Sequence, residues 1–203
     1  MVRTVPGVSE LAQGRLKIDD LHPVKIDDLL GRNLVTPNQN YLKSNITDKV
    51  VMITGSGGSI GSELCRQIFQ LHPKQIILFE QNEYALYSID QELNDLISKS
   101  NNIQVIPILG SVTDRNKVEQ VCKSFFVQTI YHTAAYKHVP MIENNIFSGI
   151  ENNIFGTLSC AQAAIAASVE VFILISTDKA VRPTNTMGAT KRFSELILQA
   201  LAK

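Results

Sequence analysis

Residues 50–61 read Val-Val-Met-Ile-Thr-Gly-Ser-Gly-Gly-Ser-Ile-Gly, an apolar run that breaks into glycines and then opens an amphipathic segment. The run predicts a buried strand over 50–54, and the segment predicts a helix over 60–71. Between them Gly55, Gly58 and Gly61 keep a T-G-x-x-G-x-x-G spacing. In a strand–loop–helix that receives a dinucleotide, Gly55 permits the tight turn and Gly58 lets a pyrophosphate approach the backbone. Gly61 lets the helix lie close against the sheet. Ser56, Ser59 and Ile60 complete the candidate cofactor-binding loop, where the helix start offers free N–H groups and its positive dipole end. Glu80 lies 19 residues after Gly61, just past a second predicted strand. A carboxylate there is placed to bind both hydroxyls of an adenosine ribose. It would repel a 2′-phosphate, so NAD is the expected cofactor; nearby lysines leave NADP open.

Outward from this loop the chain alternates. Strands are expected at 75–79, 103–109, 129–132 and 171–176. Helices are expected at 83–98, 114–125 (with Asp114 as N-cap), 146–167 and 186–202. Right-handed strand–helix–strand crossovers then give an α/β, Rossmann-type doubly wound parallel sheet of order 3-2-1-4-5. Its crevice lies at the carboxyl ends, between strands 1 and 4. The short apolar strands suit burial on both faces. Residues 1–47 differ: they hold Pro6, Pro23 and Pro37, and the unit KIDDL occurs at 17–21 and again at 25–29. They read as an N-terminal arm or linker with a short helical turn near 26–30, ahead of a cofactor domain at 48–203.

The bulk numbers narrow the class. The chain has 203 residues, 44 % hydrophobic and 19 % charged, which suits a globular domain. Its net charge of +0 supplies no field for nucleic acid. Three cysteines without a C-x-x-C pair argue against a disulfide framework and for a reducing compartment. The four histidines show no metal-ligand spacing, so no metal is expected. No apolar run approaches the ~18–20 residues of a membrane helix, and no signal peptide precedes the glycine loop. A cytoplasmic location is the expectation.

Two further stretches carry polar groups to the crevice. In YHTAAYKHVP (131–140), Ala134 and Ala135 are small where a cofactor passes close to backbone, and Lys137 and His138 are candidates to face a substrate. The fifth strand runs into ISTDKAVRPTNTMGATKR (175–192), where a hydroxyl, a carboxylate and an amine emerge together as Thr177, Asp178 and Lys179. Such groups are costly to bury without purpose. Met187 and Lys191, four apart, share one helical face.

At this place the usual short-chain dehydrogenase pattern is Tyr-x-x-x-Lys, with tyrosine as the proton-transfer group. Here methionine stands in its place, and a thioether cannot exchange a proton. With this pattern the sequence resembles the CapD-type bacterial nucleotide-sugar 4,6-dehydratases, extended short-chain dehydrogenases/reductases of polysaccharide biosynthesis. The matching stretches are VKIDDLLGR (24–32), TGSGGSIGSEL (54–64), AAYKHVPMIENN (134–145), NNIFGT (152–157) and STDKAVRPTNTMGATKR (176–192). The match is to the branch with Met-x-x-x-Lys.

The resemblance implies a lyase acting on a UDP-N-acetylglucosamine-like substrate for capsule or O-antigen polysaccharide. Oxidation at sugar C4 is followed by loss of water across C5 and C6 and by return of the hydride to C6. By the same resemblance Thr177 holds the sugar hydroxyl and Asp178 is the acid at the C6 hydroxyl. Lys179 is the base at C5, which needs desolvation or a cationic neighbour to lower its pKa. Lys191 binds the nicotinamide ribose and Asn153 braces the site. With Met187 unable to act, Asp178 is expected to take the C4 hydroxyl proton as well. Two residues depart from the pattern: Gly110-Ser111 replaces a Gly-Asp that would bind adenine, and Arg182 stands where a smaller polar residue is expected. Relatives continue into a carboxyl-terminal domain that holds the nucleotide-sugar, and many begin with membrane helices and a second Rossmann-like domain. The chain is therefore expected to be a truncated portion lacking the substrate domain, completed by missing domains, a complementing chain or self-association. The alternatives are a nucleotide-sugar 4-epimerase, which has no need of an elimination acid and base, and a non-catalytic NAD-binding fragment or interaction module.

Overall fold

Val50–Thr54 (β1) is buried along its whole length because it is the middle strand of a five-stranded parallel sheet. Its partners are β2 (Gln75–Glu80), β3 (Gln104–Leu109), β4 (Thr129–His132) and β5 (Val171–Leu174), in the order β3-β2-β1-β4-β5. The computed structural model describes residues 38–97 and 103–202, and the backbone alone at 3–4 and 22–23. The chain divides into a unit of residues 1–38 and a unit of residues 39–203. In the first, Arg3–Thr4 pairs antiparallel with His22–Pro23. The helical turn expected near 26–30 and the KIDDL duplication lie outside the described residues.

Period-two alternation splits the strands between two cores. Val51, Ile53, Ile76 and Leu78 pack with Cys65, Ile68 and Phe69 of α2 (Ser59–Gln70) and with Leu86, Ile89 and Leu93 of α3 (Glu83–Ile97). Val50, Met52, Ile77 and Phe79 face the other way, against α4 (Arg115–Phe125) and the alanines of a later helix, α7 (Gly156–Ala166). Helices on both faces make the fold doubly wound, as the Rossmann reading requires. Asp114 caps α4 by accepting from Lys117 N, as its position suggests.

Four local differences from the expectation have physical causes. β3 is not buried on both faces: its residues are exposed or half-buried, because it is an edge strand. The edge also tolerates Pro107, which has no N–H to give to a further neighbour. The fifth strand ends at Leu174, two residues early, where the chain turns away after Ile175 N reaches His132 O. The segment 146–167 is not one α-helix. It runs as α6 (Ile146–Ile150), a π-helical turn (Glu151–Phe155) and α7, after an unexpected short α5 (Val139–Glu143). Finally, α1 (Gln39–Ile46) is a helix within the stretch read as arm; its Ile46 is 1 % exposed in the first core, and Asn45 O accepts the Thr129 hydroxyl. Among the described residues no helix is long and apolar enough to cross a membrane.

Candidate functional site

The register sets Thr54 opposite both Phe79 and His132, so the carboxyl ends of β1, β2 and β4 finish level. The glycine loop leaves from that edge. Gly55 sits at φ +69°, and a Cβ on it would lie 2.7 Å from Ala134 N and Cα. A Cβ on Gly61 would lie 2.0 Å from Gly55 O, so no side chain fits where α2 crosses the loop. Among the described residues, a Cβ on Gly58 would meet Gly55 O alone, at 3.3 Å, which leaves its outer side open. Gly58 is also the N-cap of α2 and makes no side-chain cap bond, so the helix start keeps donors for an anion. Ser59 and Ile60 line the space in front of it. Ser56 does not: it is fully buried, its hydroxyl has no partner among the described residues, and it lines neither cavity described below.

Glu80 is 8 % exposed and is held by backbone donors. Its Oε1 accepts from Gln81 N and Asn82 N, both at 2.9 Å, and its Oε2 accepts from Gly57 N at 3.1 Å. The carboxylate thus fastens the glycine loop to the end of β2. Two cavities open along this edge. One of about 450 Å³ is lined by Glu80, Asn82, Ala85, Gly110, Val112, Ala134 and Ala135. The other, of about 660 Å³, is lined by Ser59, Ile60, Lys137, Thr177, Lys179, Met187 and Lys191. Gly55, Gly58, Ala135, Tyr136 and His138 line both, so the two are halves of one crevice. Lys137 Nζ reaches Ser59 Oγ at 3.3 Å, spanning from the β4 side to the start of α2. Between Gly110 and Val112 of the smaller half, Ser111 does not line the cavity and is committed to its own turn, bonded to Thr113 Oγ1 at 2.9 Å.

The larger half ends at the turn after β5. Thr177 caps a 3₁₀ turn (Asp178–Ala180) by accepting from Lys179 N, and its hydroxyl donates to Asp178 Oδ1 at 3.0 Å. Lys179 Nζ stands 3.6 Å from the same oxygen. The Thr177 hydroxyl first, and the Lys179 charge second, hold the Asp178 carboxyl below the usual aspartate range. Thr177 and Lys179 line the cavity; Asp178, between them, does not, and its side chain is 72 % exposed. Lys179 is not deeply buried: its side chain is 52 % exposed and its ion-pair partner is the Asp178 carboxylate.

Met187 and Lys191 lie on α8 (Thr186–Leu201), both buried. Lys191 Nζ donates to Ile175 O at 2.8 Å. Burial pushes its ammonium down to about 8, against the opposing charge of Glu195. The start of α8 is fixed three times over. Asn185 accepts from Gly188 N, Glu143 accepts from both Thr186 N and Thr186 Oγ1, and a Cβ on Gly188 would lie 2.2 Å from Lys179 O. Asn185 carries a visible N-cap signal. Glu143 carries none, because its partner is 43 residues away. Asn153 lies outside the cavity wall, 1 % exposed on the π turn. Its amide brackets the backbone of Tyr136, accepting from Tyr136 N at 2.8 Å and donating to Tyr136 O at 3.0 Å. Arg182 adopts φ +49°, a left-handed backbone that glycine and asparagine enter more readily, which accounts for the smaller polar residue expected there.

Comparison with known proteins matches residues 51–203 to the family described as polysaccharide biosynthesis protein. The chain is 41 % identical over 197 residues to the capsular polysaccharide biosynthesis protein CapD of Staphylococcus aureus, covering 97 % of this chain and 33 % of that one. It is 32 % identical over 157 residues to a UDP-glucose 4-epimerase of Rickettsia bellii, covering 77 % of this chain and 44 % of the relative. It is 31 % identical over 153 residues to the UDP-N-acetylglucosamine 4,6-dehydratase (inverting) of Campylobacter jejuni, covering 75 % and 43 %. Among solved structures, Pen from Bacillus thuringiensis superposes with a TM-score of 0.69 at 32 % identity, covering 77 % of this chain and 47 % of that one. The chain thus spans a third to a half of the length of the proteins it matches.

Proposed function

The chain belongs to the polysaccharide biosynthesis protein family, and on that premise we propose that residues 48–203 are the NAD-binding portion of a nucleotide-sugar 4,6-dehydratase acting on a UDP-N-acetylglucosamine-like substrate. The observation that carries the reading is the Thr177-Asp178-Lys179 turn at the mouth of a cavity walled by Met187 and Lys191 and continuous with the glycine-loop groove. The groove fits a dinucleotide: among the described glycines of its loop Gly58 has the open side, and Glu80 lies at its far end. Gly55, Gly58, Ser59, Ile60 and Gly61 would hold the pyrophosphate, Glu80 the adenosine ribose, Ala134 and Ala135 the passage between, and Lys191 the nicotinamide ribose. Bound NAD supplies a reversible hydride acceptor. The anionic Glu80 disfavours a 2′-phosphate, which sets NAD ahead of NADP.

The protein's own residues then move the protons. Asp178 is held ionised, so it is ready to take the C4 hydroxyl proton, the step Met187 cannot perform. The carboxylic acid so formed gives that proton to the departing C6 hydroxyl, which leaves as water. Lys179, in its neutral form, takes the C5 proton, made acidic by the C4 ketone, and returns it when C6 is reduced. A sugar seated over the turn supplies the burial that Lys179 otherwise lacks. Lys137 and His138 face the same space and would meet the substrate. A 4-epimerase needs no second acid–base pair, so Asp178 beside Lys179 favours the dehydratase. The remainder of a sugar site is sought in the two thirds of the CapD-like relatives' length that this span does not match.

Calorimetric titration of NAD+ and NADP+ into the chain, with and without UDP-N-acetylglucosamine, tests the first half of the reading; NAD+ is expected to bind more tightly. For the whole protein, a 4-keto product is expected, and Asp178→Asn should abolish both NADH formation and elimination. Normal NADH formation in that variant would sink the assignment of Asp178. A 4-epimer as sole product would establish the alternative reaction.

A further inference from the structure

Thr54, His132, Thr157, Asn153, Thr190 and Ser194 are each no more than 2 % exposed, and together they make a polar line through the second face of the sheet. Such a line is stable only when every donor and acceptor is paired. Its direction follows from one end. The Thr157 hydroxyl is committed as a donor to Asn153 O at 2.6 Å. Towards His132 Nε2, 3.1 Å away, it can therefore only accept. That places the single imidazole proton on Nε2 and leaves Nδ1 to accept from the Thr54 hydroxyl at 2.7 Å. At the other end, Asn153 O also accepts from Ser194 Oγ at 2.7 Å, and Asn153 Nδ2 donates to Thr190 Oγ1 at 3.0 Å. The π turn makes this double use of the Asn153 carbonyl available, because it breaks the ordinary helical ladder there.

We propose that His132 is a positioning residue, an imidazole protonated on Nε2 alone that ties Thr54, the residue before the glycine loop, to Asn153, which holds both the Tyr136 wall and the Lys191 helix. Its consequence for ligands rests on the crevice being the cofactor and sugar site. The loop that receives the cofactor and the wall that faces the substrate then move as one body. Burial, with the Lys191 charge as a second cause, pushes the His132 pKa down to about 3, so the neutral form persists across the working range. The Phe172 ring, centred 5.6 Å away, closes its other side.

Nitrogen-15 NMR of the wild-type chain reads the tautomer without any ligand. The expected signature is an Nε2–H imidazole that does not titrate between pH 8 and pH 5. An Nδ1–H tautomer, or titration near the ordinary histidine value, overturns the proposal. A double-mutant cycle tests the coupling: His132→Phe and Thr157→Val should each weaken NAD+ binding about tenfold, and the double variant no further than His132→Phe alone. Multiplied losses in the double variant would mean separate contributions and also overturn it. If His132→Phe does not fold, the tautomer decides alone. Failure of the wild type to bind NAD+ would count against the proposed function and leave the tautomer result standing.

Discussion

The two ends of the crevice are built on different terms. At the glycine loop, backbone packs on backbone: Gly61 has room for no Cβ, and Glu80 is 8 % exposed with three backbone donors on its carboxylate. At the turn after β5, Asp178 and Lys179 are more than half exposed, partnered chiefly with each other and with Thr177, and Arg182 sits in a left-handed backbone. On the proposed reading, the cofactor end is finished before any ligand arrives. The chemical end has its groups in order but depends on a ligand for its burial. If the proposed function holds, preorganisation for phosphate and ribose is in the main chain, where a single atom can break it, while acid–base chemistry is left to side chains that cost little stability to change.

The largest effect should follow from adding that atom. Gly61→Ala puts a Cβ against Gly55 O and should cost about 3 kcal/mol of stability, with loss of NAD+ binding. Asp178→Ala, at the other end, should leave the melting temperature close to that of the wild type. Thermal melts of the two variants side by side check the contrast; equal losses would erase it.

Lys191 sharpens the contrast because, although proposed for the chemical end, it is buried like the cofactor end. Its pKa is lowered to about 8 in the fold, so between pH 8 and the ordinary lysine value the unfolded chain binds more protons. Its contribution to stability therefore rises with pH across that window, by about 2 kcal/mol between pH 8 and pH 10. The buried thiols Cys65, Cys122 and Cys160 are pushed upward and act in the opposite sense above pH 9. Denaturant melts of wild type and Lys191→Met at each pH cancel the thiols, and the difference between the two should carry the slope.

Glu80 allows the cofactor end to be loosened without a clash. Glu80→Gln keeps the shape but replaces one acceptor oxygen with a donor, so at least one backbone N–H loses its partner. NAD+ affinity should fall about tenfold, and NADP+ should gain relative to it as the negative charge is removed. Calorimetry with both cofactors reads the two effects together.

What the sequence shows of these regions follows the same division. The sheet order, the glycine loop and Glu80 are legible because each depends on local period and spacing: five apolar runs, three glycines, one acid a fixed distance on. The π turn is not, since Glu151–Phe155 continues a helical pattern and Ser194, which shares the Asn153 carbonyl there, lies 41 residues away. Glu143 and His132 are invisible for a related reason. Their partners lie 43 and 78 residues away, and nothing in the neighbouring sequence marks a residue as the clasp of a distant helix. Ser56 misleads in the other direction, because its place in the glycine motif says nothing about its hydroxyl being sealed inside.

Arg182 offers the smallest test, at the exposed end. Its φ of +49° costs an ordinary side chain about 1 kcal/mol or more, and nothing around it repays that by packing, since the residue is exposed. Arg182→Gly removes the strain but gives the unfolded chain extra freedom, which offsets part of the gain. A net stabilisation of about 0.5 kcal/mol is expected, read as a rise in melting temperature with NAD+ affinity unchanged. A loss of stability would mean that the guanidinium holds the turn in place, and the chemical end would then be less open than its exposure indicates.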